Sequence, residues 1–330
     1  MIPDARRIGA HLPAGAGHVR MAERARDIGA TALQVFTDNP SAWRRRDEPP
    51  DDLSQYRSLL ATYDIGPVAV HASYLVNLAG PDDELHDKSV ALLASELTVA
   101  PAFGARFVNV HIGSHKGAGL YAGMARIADG VARALGESPD GPDAPMVVLE
   151  NAAGSGFAIG VTISEIAELL ETIVARGVPE RRVGICLDTA HAWGAGFDLS
   201  TPEGVDGVIG DFDRLIGLER LVMIHLNDSK AALGSRSDRH QHIGAGEIGP
   251  AGLTRVVTHP SLSSVTYILE TPGMDDGYDE VNLARVRALQ RGEPLHPLPP
   301  EADELPSGRH RARAAGGSSD DGRGPTAEAT

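Results

Sequence analysis

The stretch VTISEIAELLETIVARGVPERRVGICLDT, residues 161–189, joins one amphipathic helix to one buried strand. Thr162 and Glu165 form a capping box that predicts the helix start, and Gly177 is a typical residue just beyond a helix end. Apolar residues at helical spacing line one face: Ile163, Ile166, Leu170 and Ile173. The run VGICLDT at 183–189 is nearly continuously apolar, as expected for a parallel strand covered on both faces.

Seven more apolar runs of this kind occur along the chain. They are RIGAHLP at 7–13, ALQVFT at 32–37, PVAVHAS at 67–73, RFVNVHIG at 106–113, PMVVLEN at 145–151, RLVMIHLN at 220–227 and VTYILET at 265–271. Helical patterns lie between them. Strands alternating with helices predict an α/β fold, a (β/α)₈ TIM barrel, over residues 1–290. An open doubly wound sheet is the alternative, but no phosphate-binding fingerprint follows the first strand.

Composition limits the class of protein further. The chain has 330 residues, 42% of them hydrophobic, which is enough for a large core. Its single cysteine excludes an intrachain disulfide. The lack of a signal-like N-terminus and of long apolar runs predicts a soluble cytoplasmic protein with no membrane partner. The formal net charge of −15, taken alone, argues against a nucleic-acid partner, because phosphate binding needs Lys and Arg.

The composition changes near the C-terminus. Residues 291–330 are rich in Pro, Gly, Ser, Arg and acidic residues and contain almost no apolar ones. A segment of this composition cannot bury a core. We therefore predict that residues 291–330 form a disordered tail.

Histidines and carboxylates follow six of the eight predicted strands. In a (β/α)₈ barrel the active site lies at the C-terminal ends of the strands. Residues of these types at or just after the strand ends are His71, His111, Glu150, Asp188, His191, His225, Asp238, His240 and Glu270. A single His is more often structural, and a single Asp or Glu is often a helix cap. Four carboxylates together would repel each other without cations, so the set predicts a metal site.

The residue types restrict the metal. Histidine and carboxylate ligands without cysteine suit Zn²⁺, and also Mn²⁺ or Fe²⁺. Nine ligands are too many for one ion, whereas three ions with one bridging carboxylate match the number. Ions about 3.5–4 Å apart are typical of phosphoester hydrolases.

Several segments resemble the endonuclease IV family, the metal-dependent apurinic/apyrimidinic endonucleases with a TIM-barrel fold. In the family's order they are IGAH at 8–11, HASYLVNLA at 71–79, NVHIGSH at 109–115, LENAAGSG at 149–156, CLDTAHAWGAGFD at 186–198, HLNDSKAALGSRSDRHQHIGAGEIG at 225–249 and ILETPG at 268–273. The last three are highly specific. The resemblance spans residues 8–290, almost the whole predicted barrel.

The resemblance implies three zinc ions per chain, with Mn²⁺ as a partial alternative. The implied ligand sets are His71, His111 and Glu150; Glu150 as a bridge with Asp188, His225 and Glu270; and His191, Asp238 and His240. The implied reaction is hydrolysis of the phosphodiester 5′ to abasic sites in duplex DNA, which leaves a 3′-hydroxyl and a 5′-deoxyribose phosphate. Trimming of blocked 3′ ends is implied as well.

The mechanism that follows is a trinuclear metal-hydroxide attack on phosphorus, in which Glu150 is essential and no side chain is the nucleophile. We expect the enzyme to act as a monomer and to associate with the nucleoid when it acts on DNA.

DNA contacts are predicted from the same resemblance. The family's loop after strand three probes the base stack, which indicates Tyr74 and Leu75 as a wedge; the alternative is that both pack under the rim. Arg239 lies between two ligands and is expected to face a backbone phosphate. FTDNPSAW at 36–43 departs from the family, where basic residues are common, so residues 44–46, all Arg, are candidates to replace that contact.

A sugar isomerase or epimerase of the xylose-isomerase-like type is the alternative function. Such barrels hold a single metal and would use Glu150, Asp188, His225 and Glu270. They do not need the other five residues together, which favours the endonuclease. A catalytically silent DNA-damage binder is a third interpretation, and the complete ligand set argues against it.

Overall fold

Eight parallel strands form a closed barrel. The computed structural model describes residues 6–46 and 48–304. The strands are β1 (Arg7–His11), β2 (Ala32–Val35), β3 (Val68–His71), β4 (Ala105–His111), β5 (Met146–Glu150), β6 (Val183–Asp188), β7 (Leu221–His225), β8 (Asp228–Ser229), β9 (His240–Gln241) and β10 (Thr266–Leu269). β1 pairs with both β2 and β10, which closes the barrel, while β8 and β9 form a separate antiparallel ribbon. The predicted TIM barrel is confirmed.

Helices surround the barrel. They are α1 (His18–Asp27), α2 (Leu53–Thr62), α3 (Asp83–Val99), α4 (Leu120–Gly136), α5 (Ile163–Ala175), α6 (Thr189–Ala195), α7 (Pro202–Leu215), α8 (Gly249–Thr258) and α9 (Tyr278–Arg291). The predicted cap of α5 is present: Thr162 Oγ1 accepts the N–H of Glu165 at 3.2 Å, and Glu165 Oε2 accepts two upstream N–H groups. Among the helices of residues 6–304, none combines the length and the apolar character needed to cross a membrane.

The apolar core has two parts. The larger part lies between the strands and the helices. A smaller cluster has one residue from each of seven barrel strands: Ala32, Ala69, Phe107, Val148, Cys186, Met223 and Ile268. Because side chains alternate along a strand, these residues fill the barrel interior and leave its C-terminal end to the polar residues beyond them.

The segment after α9 corrects the predicted start of the tail. Residues 292–304 lie against the barrel, where Leu295 packs on the core and Ala302 is buried. The side chains of Leu295 and Ala302 and the carbonyls of His296 and Ala302 find buried partners, which the composition did not reveal. The rest of the predicted disordered tail, residues 305–330, lies outside the described residues.

Helix α1 is capped from another part of the chain. Its N-cap residue, Gly17, has no side chain to accept a hydrogen bond. Asp52 takes this role, because its Oδ2 accepts the N–H of His18 at 2.8 Å and its Oδ1 lies 2.8 Å from His18 Nδ1. Burial raises the pKa of Asp52, but the hydrogen bonds from His18 lower it by more, so that the pKa lies below the ordinary value. The carboxylate therefore joins the loop after β1 to the start of α2.

Replacing Asp52 by Ala is expected to lower the free energy of unfolding at pH 7 by about 1–2 kcal/mol, as for other lost caps. Because the folded-state pKa is lowered, this contribution is present above the unfolded pKa of about 4 and is lost as pH falls through the folded pKa. Urea unfolding in EDTA of the wild type, Asp52→Ala and the exposed neighbour control Asp51→Ala measures it. A loss of equal size in the control, or one that persists at pH 2–3, would contradict the assignment.

Candidate metal centre

All nine predicted ligands meet at the C-terminal end of the barrel. Five of them end consecutive strands: His71, His111, Glu150, Asp188 and His225 end β3 to β7. The others are Glu270 just after β10, His191 in the first turn of α6, Asp238 in the loop between β8 and β9, and His240 at the start of β9. Six of the nine are buried, and only His111, Asp238 and Glu270 are partly exposed. The strand ends thus bring distant parts of the sequence to one point.

The side chains form three groups that could each hold a metal ion. In each group one ligand atom per residue lies within 4.8 Å of the others; the groups are His71, His111 and Glu150; Glu150, Asp188, His225 and Glu270; and Asp188, His191 and His240. Glu150 belongs to two groups and Asp188 to two. The three groups therefore share carboxylates and form one continuous centre.

Glu150 lies between the first two groups. Its Oε2 is 3.7 Å from His71 Nε2 and 3.5 Å from His111 Nε2, whereas its Oε1 is 3.5 Å from His225 Nδ1. The two oxygens of one fully buried carboxylate thus face different histidines. This is the arrangement expected of a bridging ligand.

Asp238 lies beside the third group. Its Oδ2 lies 3.3 Å from His191 Nε2 and its Oδ1 lies 3.1 Å from His240 Nε2. Asp188 approaches the same group, with Oδ2 3.5 Å from His240 Nε2. Asp238 and Asp188 therefore flank His240 with two carboxylates.

Hydrogen bonds orient four of the histidines. Backbone carbonyls can only accept, so the Nδ1 atoms that face them must donate: His71 to Ala72 at 2.7 Å, His191 to Asn151 at 2.9 Å and His240 to Glu270 at 2.8 Å. His225 Nε2 donates to Gln34 Oε1 at 3.0 Å. In the neutral ring, the other nitrogen of each histidine carries a lone pair aimed into the centre, as metal binding requires.

Amide side chains hold the carboxylates in place. Asn109 donates to Glu150 Oε2 at 2.6 Å, and Asn227 donates to Asp188 Oδ2 at 2.8 Å. Gln34 donates to Glu270 Oε1 at 2.7 Å. Sequence reasoning did not select Gln34. The sequence feature that could have identified Gln34 is that it is a single amide within the apolar run of β2.

The electrostatics of the centre favour bound cations. Burial raises the pKa of Glu150, but His111 and His225 hold it well below the ordinary value. Burial lowers the pKa of His240, whereas Asp238 and Asp188 raise it to about 9. The buried carboxylates thus attract whatever positive charge is near, and in the protein alone this is the imidazolium ion.

The buried atoms that make no hydrogen bond include three of the centre: Glu150 Oε1, His225 Nδ1 and His240 Nε2. Each faces another ligand-type atom at 3.1–3.5 Å, a separation that suits two ligands of one metal ion. The donor set, its orientation and these unsatisfied atoms fit divalent metal ions.

The predicted DNA-contacting residues have different surroundings. Tyr74 is 43% exposed, and its ring lies 5.7 Å from that of His71. Leu75 is only partly exposed and packs against the core, and Arg239 is exposed beside the centre. Tyr74 and Arg239 are therefore exposed at the rim of the barrel, whereas Leu75 lies partly beneath it.

The arginines after β2 are largely engaged within the protein. Arg45 lies 3.4 Å from the buried carboxylate of Glu96, and Arg46 lies 3.4 Å from Asp38. Only Arg44 of the three candidates remains exposed without such a carboxylate among the described ion pairs. Arg45 anchors the loop to α3.

Comparisons with known proteins agree with this geometry. A family model described as xylose isomerase-like TIM barrel matches residues 22–291. A protein named probable endonuclease 4 from Methanoculleus marisnigri is 40% identical over 282 residues, which cover 86% of this chain and 98% of that protein.

Solved structures give the same result. The crystal structure of endonuclease IV from Thermus thermophilus matches with a TM-score of 0.75 and 37% identity, covering 87% of this chain and 99% of that one. A D-tagatose 3-epimerase-like protein matches with a TM-score of 0.59 and 16% identity, a likeness that shows the fold alone. The chain therefore belongs to the endonuclease IV family of metal-dependent hydrolases.

Proposed function

We propose that this protein is a DNA-repair endonuclease that hydrolyses the phosphodiester 5′ to abasic sites in duplex DNA. The products are a 3′-hydroxyl and a 5′-deoxyribose phosphate, and blocked 3′ ends are trimmed by the same centre. The observation that carries the proposal is the continuous centre built around Glu150, in which three groups share carboxylates. The relatives named endonuclease 4 and endonuclease IV support the choice of reaction.

Three divalent ions, best matched by Zn²⁺, would be held by this centre. The first ligand set is His71, His111 and Glu150; the second is Glu150, Asp188, His225 and Glu270; the third is His191, Asp238 and His240. When bound, such ions lower the pKa of water and stabilise negative charge on a phosphodiester. Histidine and carboxylate ligands without thiolate also permit Mn²⁺ in part of the sites.

The protein supplies ligands and orientation rather than a nucleophile. Cys186 is the only cysteine, and it lies fully buried inside the barrel. Burial raises the pKa of its thiol to about 12, so it stays protonated near neutral pH. Asn109, Asn227 and Gln34 hold the carboxylates so that their oxygens keep facing the histidine lone pairs.

Tyr74 is proposed to probe the base stack next to the lesion. Its half-exposed ring stands beside His71 and His111, so an abasic nucleotide at the centre would meet it. Inserting an aromatic wedge costs least where a base is already missing, which gives selectivity without reading base edges. Leu75 packs against the core, and the exposed Arg239 is proposed to face the DNA backbone.

A nicking assay tests the proposed reaction. We expect cleavage of a duplex with one abasic site, no cleavage of the matched undamaged duplex, and loss of activity in EDTA that Zn²⁺ restores. Glu150→Ala and the isosteric Glu150→Gln are expected to reduce cleavage to background, because both remove the bridging charge. Glu171→Ala, on the exposed face of α5, is the matched control and should cleave normally. Equal cleavage of both duplexes, or near-normal rates in either Glu150 variant, would overturn the proposal.

Metal content separates the two candidate functions. Elemental analysis of the purified protein after dialysis is expected to give close to three ions per chain, since three ligand sets are present. A sugar isomerase would need one ion, held by Glu150, Asp188, His225 and Glu270. A measured content near one ion per chain would therefore contradict the trinuclear centre.

Removing the ring of Tyr74 tests the wedge. Tyr74→Ala is expected to raise KM for the abasic duplex about 5–150-fold, the equivalent of ~1–3 kcal/mol of lost stacking, while Tyr74→Phe retains most of the affinity. Tyr63→Ala is the matched control, because Tyr63 follows α2 at the opposite end of the barrel. Unchanged KM in Tyr74→Ala would show that this residue only packs under the rim.

A further inference from the structure

Residues 292–304 contact the loop between β7 and α8 at His242 and Gly244, just beyond Asp238 and His240. They lie beyond residues 22–291, where the family model matches. Leu295 packs on the core, and its Cδ1 lies where a side chain at Gly244 would be, 2.4 Å from a Cβ built there. Gly244 also has a φ of +70°, so a glycine suits both the backbone and the contact. The added segment and the loop thus fit each other closely.

His242 links this segment to the loop by a hydrogen bond. Its ring is fully buried, and its Nε2 lies 3.1 Å from the carbonyl oxygen of Ala302, which is itself buried. A carbonyl only accepts, so Nε2 carries the proton and donates. His242 Nδ1 is then an acceptor, and Asn282 Nδ2 donates to it at 2.9 Å. The imidazole is therefore held on both sides.

Helix α9 completes the contact. Asn282 Oδ1 accepts the N–H of Ile243 at 2.9 Å, and Arg285 Nε donates to the carbonyl of Ile243 at 2.5 Å. Arg285 also donates to the carbonyl of His296 in the added segment. Both backbone groups of Ile243 are thus fixed by side chains of α9, and Arg285 connects them to residues 292–304.

These contacts hold the chain two residues from a proposed metal ligand. His240 and Gln241 form β9, and His242 follows directly. The ribbon between β8 and β9 is only two residues long on each side. The short β8/β9 ribbon alone therefore restrains the position of His240 only weakly. The contacts of residues 242–244 add the further restraint.

We propose that residues 292–304, together with His242, Asn282 and Arg285, form a clamp that positions Asp238 and His240 and so tightens binding of the third metal ion. The clamp deepens the proposed function and rests on it, because it presumes that His191, Asp238 and His240 bind a metal. Groups that orient metal ligands without touching the metal typically contribute about 10–100-fold to metal affinity. The clamp residues are positioning residues in this sense.

Metal titration of truncated chains tests the clamp. Apoprotein is titrated with Zn²⁺ in competition with a chromogenic chelator, for the full chain, a chain ending at Glu304 and a chain ending at Arg291. The first two are expected to bind three ions tightly. The third is expected to bind two ions with unchanged affinity and one ion about 10–100-fold more weakly. Three unchanged affinities in the chain ending at Arg291, or equal weakening of all three, would overturn the clamp.

Two point variants keep the test valid if the shorter chain does not fold. His242→Gln places an amide N–H where it can still donate to Ala302, whereas His242→Asn keeps an acceptor for Asn282 but is too short to reach Ala302. We expect selective loss of one tight ion in His242→Asn and recovery in His242→Gln, with unchanged far-UV circular dichroism in both. Wild-type metal affinity in His242→Asn would refute the clamp.

The full chain separates failure of the clamp from failure of the proposed function. If the unmodified protein binds fewer than three ions, or binds three and does not cleave abasic DNA, the proposed function fails first. If it binds three and cleaves, but the variants bind metal as it does, only the clamp fails.

Discussion

The concentration of negative charge at one end of the barrel is the constraint on which the rest of the centre depends. Glu150 and Asp188 are fully buried, and Asp238 and Glu270 lie close to them. Carboxylates in such a place are tolerated only when cations and hydrogen bonds compensate their desolvation. A parallel barrel makes the arrangement possible, because the last residue of every strand must reach the same rim. Main-chain topology, rather than loop flexibility, sets the distances between ligands.

The ligands also orient one another through the backbone. The carbonyl of Glu270 accepts from His240, and the carbonyl of Asn151, next to Glu150, accepts from His191. The strand end that supplies a carboxylate to the second ligand set thus aligns a histidine of the third. A displacement of one strand end would therefore disturb two ligand sets at once. This coupling favours a rigid scaffold, and strands in a closed barrel provide it.

Local patterns explain how much of this was predictable. In the sequence, each strand is a short apolar run, and each strand-end ligand is the polar residue that ends it or follows it. Because the strands are parallel, these polar residues meet at one rim of the barrel. Gln34 was missed because the short apolar run of β2 does not show which of its side chains face the centre. The ion pair of Arg45 was not foreseen because its partner, Glu96, is distant in sequence and buried. Residues 292–304 were misjudged because Leu295 is an isolated apolar residue whose site on Gly244 exists only in the fold.

The loop between β7 and α8 shows why such long-range contacts matter for metal binding. Asp228 accepts backbone N–H groups from Ser229, Gly246 and Ile248 at 2.8–3.0 Å, which closes the two ends of the loop. Ordering each loop residue costs about 1–2 kcal/mol of backbone entropy, whereas one hydrogen bond contributes about 1 kcal/mol. If the loop were not ordered beforehand, metal binding would have to supply this free energy, and affinity would fall. The hydrogen bonds to Asp228 and the contacts of the residues after β9 order the loop when the protein folds. The entropy cost is therefore met before metal binding, and His240 is already in position when an ion arrives.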